Sequence, residues 1–296
     1  LEKRFAIIVN PAAGLGKTFK KLPVLKEITQ KADAIFDYYI TESPHHGTRI
    51  ADAIHREYDA VVAFGGDGTA NEVMNGLAGS DTPFGLIPQG TGNDFARSIQ
   101  VRKDLQQAVN VLLNYKIRPM DLGIIGNRVF LNGVGVGFDG FVNYRSKNQK
   151  FFKGSLSYLY AVLTSLTLWR AIPISLGIDL EPMDKVHAFL IAIGNGWSVG
   201  GGLKLTPQAS IHDGLFDICH VGNIAIWKIM LNFARLKTGT IGQIREVATR
   251  RCKKITIESE YPLPVHFDGE VYDINAKKVD ISIVPQSANV IGGWES

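Results

Sequence analysis

The residues best placed to do chemistry stand in turns that follow short apolar runs. Residues 60–77, AVVAFGGDGTANEVMNGL, set a buried-looking run at 60–64 against a turn in which Gly65, Gly66 and Gly68 leave the backbone bare around Asp67. Val73, Met74 and Leu77 then recur at helical intervals, so the stretch reads as strand, loop and helix. A loop between the C-terminal end of a strand and the N-terminal end of a helix presents backbone N–H groups and the positive end of a helix dipole, and a phosphate suits it. Three further turns carry glycine or carboxylate: NPAAG at 10–14, PQGTGND at 88–94 with Thr91, Asn93 and Asp94, and DGE at 268–270. Taken singly, each is what an ordinary turn also looks like. A Walker A loop would place Gly16, Lys17 and Thr18 correctly but requires glycine where Pro11 stands, so that match fails. Lys17, Lys20 and Lys21 fit a solvated helix start as well as they fit phosphate contact.

The elements that must position these turns follow from periodicity. Residues 5–9, 35–41 and 84–87 read as further strands, and Ser43-Pro44 as the N-cap and first residue of a helix running through His55. His45 and His46 fall in that first turn without a third ligand at metal spacing and are expected to be exposed. Strands alternating with helices to about residue 115 predict a doubly wound, mostly parallel sheet, whose ligands sit outside the C-terminal strand ends. From Pro119 short alternating apolar runs broken by glycine predict antiparallel strands. A helical insert follows with Leu156, Leu159, Tyr160, Leu163 and Leu166 on one face, and another helical segment lies at 225–236. The expected organisation is an α/β nucleotide-binding domain at 1–118, a β-rich domain at 119–285 carrying the DGE turn, and a tail at 286–296 packing back on the first domain.

Length and composition agree with two globular domains: 296 residues, 45% apolar and 20% charged, with a net charge of +4. That mild basicity suits a phosphorylated ligand or an anionic membrane surface. Without a Lys/Arg run, a zinc spacing or an aromatic RNA-binding signature, the sequence argues against nucleic acid. Cys219 and Cys252 alone support neither a disulfide framework nor a thiolate metal site, which points to a reducing compartment. The uncharged stretch at 154–169 is too short and too polar to span a bilayer. LEKRFAIIVN enters a strand without a signal-peptide pattern, so a soluble, intracellular protein is expected.

In their order and spacing, NPAAG, GGDGT, PQGTGND and DGE resemble the diacylglycerol kinase catalytic family. The likeness is to its soluble bacterial-type lipid kinases, related to sphingosine and ceramide kinases, and it runs over essentially the whole chain. The resemblance implies a doubly wound N-terminal α/β domain, a largely antiparallel C-terminal β-sandwich, ATP in the cleft between them, and transfer of the γ-phosphate to the hydroxyl of diacylglycerol or a related lipid. It places the nucleotide against Asn10, Pro11, Ala12, Ala13, Gly14, Thr41, Gly66, Asp67, Gly68, Thr69, Ala70, Asn71, Glu72 and Thr91, and Asp67, Asp94 and Asp121 around a catalytic Mg²⁺. Glu270 corresponds to the usual proton acceptor, with Asp268 its rival; two residues apart on an extended segment point the same way, so sequence does not separate them. The stretch LTPQASIHDGLFDI at 205–218 resembles a segment holding a second, structural Mg²⁺ through the Asp213 carboxylate and the backbone carbonyls of Ser210 and Leu215, although His212 stands where many members have an acid and an ordinary hairpin turn reads the same.

Two other readings stay open. A kinase of a soluble acceptor is one, because NAD kinase and 6-phosphofructokinase share a GGDG loop; PQGTGND favours the lipid branch. The other is a non-catalytic lipid or nucleotide carrier, whose mark would be loss of the carboxylates. A lipid substrate implies a cytoplasmic protein in peripheral contact with the inner face of the membrane. Residues 154–169 with Lys147, Lys150, Lys153 and Arg170 are either that contact or a stretch that simply packs on the second domain. A homodimer and the identity of the lipid are left open.

Overall fold

The computed structural model describes residues 2–148 and 155–294. The chain divides into two compact units, Leu1–Leu122 with Pro285–Ser296, and Gly123–Val284.

The first unit alternates strand and helix: β1 (Arg4–Val9), α1 (Lys17–Thr29), β2 (Ile35–Ile40), α2 (His46–Ile54), β3 (Ala60–Gly65), α3 (Asp67–Leu77), β4 (Phe84–Pro88), α4 (Asp94–Ser98) and α5 (Leu105–Asn114). Its sheet runs β4-β3-β1-β2 with every pairing parallel, and Val290 adds a parallel partner to Phe84 on the outer side of β4. β3 and β4 are buried along their whole length and β1 after Arg4, as central strands of a parallel sheet must be when helices cover both faces. α5 starts where the Asp104 carboxylate accepts from Gln107 N–H at 2.8 Å.

α2 departs from expectation. Ser43 and Pro44 lie in a turn before it, His45 takes φ 60° and the helix begins at His46. The cap comes from another element: the Glu72 carboxylate, one turn into α3, accepts from His45 N–H at 2.9 Å and Gly47 N–H at 3.1 Å. An anionic acceptor across two free N–H groups does more at a helix start than a serine hydroxyl.

The strand β5 (Ile117–Ile125) leads into the second unit, which continues with β6 (Arg128–Phe130), β7 (Gly133–Gly137), α6 (Phe138–Asn148), α7 (Ser155–Leu168), β8 (Ile172–Ile178), β9 (Asp184–Ala188), β10 (Leu190–Gly194) and β11 (Phe216–Val221). After it come α8 (Ile226–Leu231), α9 (Phe233–Thr238), β12 (Val247–Cys252), β13 (Lys254–Phe267) and β14 (Glu270–Ile291), which belongs to this unit as far as Val284. The strand order is β12-β11-β10-β7-β13-β14, with β8 also on β13 and β9 on β8, all antiparallel. One core gathers Phe130, Phe216, Phe267 and the inward residues of β8, β10 and β13. A second, of Phe138, Val142, Ala161, Leu166, Cys219 and Ile224, lies under the helices. The mixed fold is the expected one, a parallel α/β unit followed by a β-sandwich.

The apolar face expected on the insert helix is divided between core and solvent. Ala161, Ser165 and Leu166 face inward, while Tyr160 and Leu163, expected on one face with Leu166, are 38% and 50% exposed. The helix packs against its neighbour α6. Lys150, Lys153 and Gly154 of the expected membrane segment lie outside the described residues, as do the side chains of Leu156 and Leu159.

Candidate active site

In the first unit the three turns that drew attention in the sequence leave the C-terminal ends of β1, β3 and β4 and pack on one another. Asn10 N–H donates to Phe64 O at 3.1 Å, Gln89 N–H to Gly65 O at 2.6 Å, and Asn10 Nδ2 to Thr69 Oγ1 at 3.1 Å. The contact is backbone to backbone: a Cβ on Gly66 would lie 2.9 Å from Gly90 Cα, and one on Gly14 2.3 Å from Gln89 O. Glycine is required at both places because any side chain would wedge the turns apart.

Two of the three predicted metal-side carboxylates meet there. A Cβ on Gly92 would stand 2.9 Å from Asp94 Oδ2 and 3.1 Å from Asp67 Oδ2, so both carboxylates close on the same bare glycine. Their other oxygens are engaged: Asp67 Oδ1 accepts from Phe95 N–H at 3.1 Å, and Asp94 Oδ1 from Arg97 at 3.0 Å. Two carboxylates converging at the end of parallel strands fit a hard divalent cation. Asp121 is placed differently. It is fully buried, and its Oδ1 accepts from Gln286 N–H at 2.8 Å, which fixes that residue at φ 48°. Among the described residues no three His, Cys, Asp or Glu side chains gather as metal ligands would.

The predicted nucleotide residues separate into surface and support. Pro11, Ala12, Ala13, Gly14, Gly66, Asp67, Gly68 and Thr91 reach solvent. Thr41, Thr69, Ala70 and Asn71 are buried, the last bonded to Asn75 within α3, and Glu72 is the cap of α2. Two basic residues escaped the sequence reading. Arg97 Nη1 donates to Gly92 O, Asn93 O and Asp94 Oδ1 at 2.8–3.0 Å and so braces the PQGTGND turn. Lys103 Nζ reaches Gly90 O at 2.5 Å. Burial, then the ammonium groups of Lys21 and Lys17, lower the Lys103 pKa. PQGTGND followed nine residues later by a lysine was the only signal in the sequence.

In the second unit the DGE turn is a two-residue hairpin loop. Asp268 at φ 46° and Gly269 at φ 79° connect Phe267 to its strand partner Glu270, as a type I′ turn requires. The two acids are therefore not on one extended segment, and their environments differ. Asp268 accepts from the N–H groups of Leu131 (2.7 Å), Asn132 (2.9 Å) and Gly133 (3.0 Å). Glu270 is half-exposed and meets Lys147 Nζ at 2.9 Å. One face of α6 serves this hairpin in steps of four: Asp139 stands 2.9 Å from His266 Nε2, Asn143 Nδ2 donates to Gly269 O at 3.0 Å, and Lys147 holds Glu270.

The predicted structural metal turn already has its counter-charge. Asp213 Oδ1 accepts from Leu215 N–H at 3.1 Å, and Oδ2 pairs with Arg251, which also reaches Asp217 at 3.3 Å. Ser210 Oγ accepts from His212 N–H at 3.4 Å. A cation at Asp213 would have to displace the Arg251 guanidinium.

Comparison with known proteins agrees across both units. Residues 4–125 match the family model for the diacylglycerol kinase catalytic domain, and residues 132–292 that for the YegS C-terminal NAD kinase beta sandwich-like domain. The chain is 36% identical to the diacylglycerol kinase of Bacillus subtilis over 281 residues, covering 90% of each. It is 32% identical to that of Mycobacterium tuberculosis over 248 residues, covering 82% of this chain and 79% of the relative. Among solved structures, a diacylglycerol kinase from Bacillus anthracis shares the fold with TM-score 0.71 at 23% identity, over 99% of this chain and 97% of that one. An NAD kinase from Archaeoglobus fulgidus shares it more distantly, with TM-score 0.52 at 12% identity over 97% and 93%.

Proposed function

We propose that this chain, which belongs to the diacylglycerol kinase family, transfers the γ-phosphate of ATP to the hydroxyl of a membrane lipid, diacylglycerol or a close relative. The observation that carries this reading is the approach of Asp67 and Asp94 to the bare Gly92 among the packed glycine turns. Asp67 and Asp94 would hold a divalent cation, Mg²⁺ in the simplest case, whose chemistry is to neutralise phosphate charge. The turns at 10–14, 66–68 and 91 bind the triphosphate through backbone N–H groups, and Lys17, Lys21 and Lys103 add positive charge beside them.

Glu270 is the proton acceptor. As the lipid oxygen bonds to the γ-phosphorus and the bond to the β–γ bridging oxygen breaks, Glu270 takes the hydroxyl proton and ADP leaves. Asp268 braces the hairpin instead, its carboxylate engaged by three backbone N–H groups. Contact with the membrane is peripheral; among the described residues no helix is long and apolar enough to cross it.

Radiolabelled ATP offered to a total lipid extract, beside NAD and fructose 6-phosphate, tests the reading. A labelled lipid is expected, and label only in a soluble acceptor overturns it. Glu270→Ala is expected to lower turnover by about 10²–10⁴-fold, the usual worth of a general base, with the circular dichroism spectrum unchanged. Asp67→Ala is expected to abolish turnover in a protein that remains folded.

A further inference from the structure

The pair α8–α9 is apolar on both sides, although a helix that is apolar all round belongs in an interior. Ile226, Ile229 and Leu236 pack inward on the core under the helices. On the outer side Trp227, Met230 and Leu231, at i, i+3 and i+4, are 61%, 56% and 75% exposed, and Phe233 adds 45%. Four large apolar side chains within seven residues of surface need a cover.

The charges around them say which cover. Residues 222–245 contain no Asp or Glu and carry Lys228, Arg235, Lys237 and Arg245. Lys228 lies 5.8 Å from the Trp227 ring and pairs with Glu246, and Arg235 bonds to Gln243. A second copy docked face to face would bring like charges together. An anionic bilayer surface supplies the opposite charge, takes up the apolar side chains, and suits tryptophan at the boundary of headgroups and acyl chains.

We propose that α8–α9 is the membrane-docking element of this protein, inserting Trp227, Met230, Leu231 and Phe233 into the interface of an anionic bilayer with Arg235 and Lys237 at the headgroups. Its purpose rests on the lipid-acceptor reading above, but vesicle binding is measured without ATP and stands or falls separately.

The experiment is co-sedimentation with phosphatidylglycerol/phosphatidylcholine vesicles and with pure phosphatidylcholine vesicles. The wild type is expected to bind the anionic vesicles and to weaken as salt rises. The double variant Trp227→Ser/Leu231→Ser should bind about tenfold or more weakly, as loss of two buried apolar side chains requires. Lys237→Glu should bind less well, and Leu163→Ser on α7 should bind normally. Unchanged binding by the double variant, or loss confined to Leu163→Ser, overturns the proposal. So does a dimer, seen by light scattering without vesicles, that the double variant dissolves. If the wild type binds vesicles but labels no lipid, the kinase reading fails while the docking surface survives. If the double variant binds normally while the wild type phosphorylates lipid, the reverse holds.

Discussion

The Lys147 ammonium lies 2.9 Å from the Glu270 carboxylate, and both side chains are 40–50% exposed. An exposed pair of this kind contributes at most about 1 kcal/mol to stability. Lys147→Met and Glu270→Gln are both expected to unfold in urea within about 1 kcal/mol of the wild type, while only Glu270→Gln loses phosphoryl transfer. Asp268 should behave oppositely. Removing an acceptor shared by three backbone N–H groups costs about 2–4 kcal/mol, so Asp268→Ala should lose activity together with a clear drop in urea midpoint. If Asp268→Ala proves as stable as the wild type yet inactive, the roles of the two acids are exchanged.

Glu72 lies within the expected nucleotide stretch but caps α2. Glu72→Ala is expected to destabilise the protein by about 1–2 kcal/mol and to leave the KM for ATP within twofold. A selective rise in that KM, with the unfolding curve unmoved, would place Glu72 on the nucleotide instead.

Arg251 holds Asp213 and Asp217 together. Burial raises the Asp217 pKa, and Arg251 acts against that shift. EDTA is therefore expected to leave the Tm of the wild type unchanged. Arg251→Ala should lose up to about 1 kcal/mol, and Mg²⁺ should restore part of it by taking the place of the guanidinium. A wild-type Tm that falls in EDTA would mean that a metal displaces Arg251.

Lys103 is predicted to act on the nucleotide side. Its ammonium is disfavoured by burial and by two neighbouring cations, and an arriving polyphosphate relieves that repulsion. Lys103→Met should raise the KM for ATP about tenfold, as loss of one charge-assisted phosphate contact implies, with the lipid KM unchanged.

Burial pushes the Cys219 and Cys252 thiols from 9.0 up to about 12. The folded state keeps these protons where the unfolded chain has lost them. Their contribution is fully present below pH 9 and is lost as pH rises towards 12, at up to about 1.4 kcal/mol per pH unit for each thiol. Urea midpoints at pH 8, 9 and 10 check the slope. Replacing both cysteines by alanine should flatten it.

The sequence was most legible where one local rule decided the outcome. Continuous apolar runs ending in glycine turns gave β1, β3 and β4 and the surfaces that follow them, because a buried parallel strand needs no partner to be read. It was least legible where a distant residue supplied the missing group. Ser43-Pro44 looked like a helix start, but Glu72 is the cap. Asp268 and Glu270 looked equivalent, but a type I′ turn and the amides of residues 131–133 divide them. Asp213, read as a metal ligand, pairs with Arg251, 38 residues on. Lys103 shares no motif with the turn it serves. Glu72, Arg251, Lys103 and the amides of residues 131–133 all act through polar contacts distant in sequence, and periodicity carries no information about those.

The strand pairing of Val290 with Phe84 has a consequence during synthesis. Residues 285–294 follow the whole second unit in chain order, yet they belong to the first: Gly292 and Gly293 N–H groups donate to Lys116 O and Ile99 O, Trp294 is buried, and Gln286 meets the Asp121 carboxylate. On the ribosome the first half therefore emerges with one flank of its sheet open and Asp121 without this donor, and waits for some 160 further residues before closing. Its nascent form has an unpaired β4 edge, the kind of surface on which chains aggregate. Shortening the protein at its far end would damage the first unit before the second.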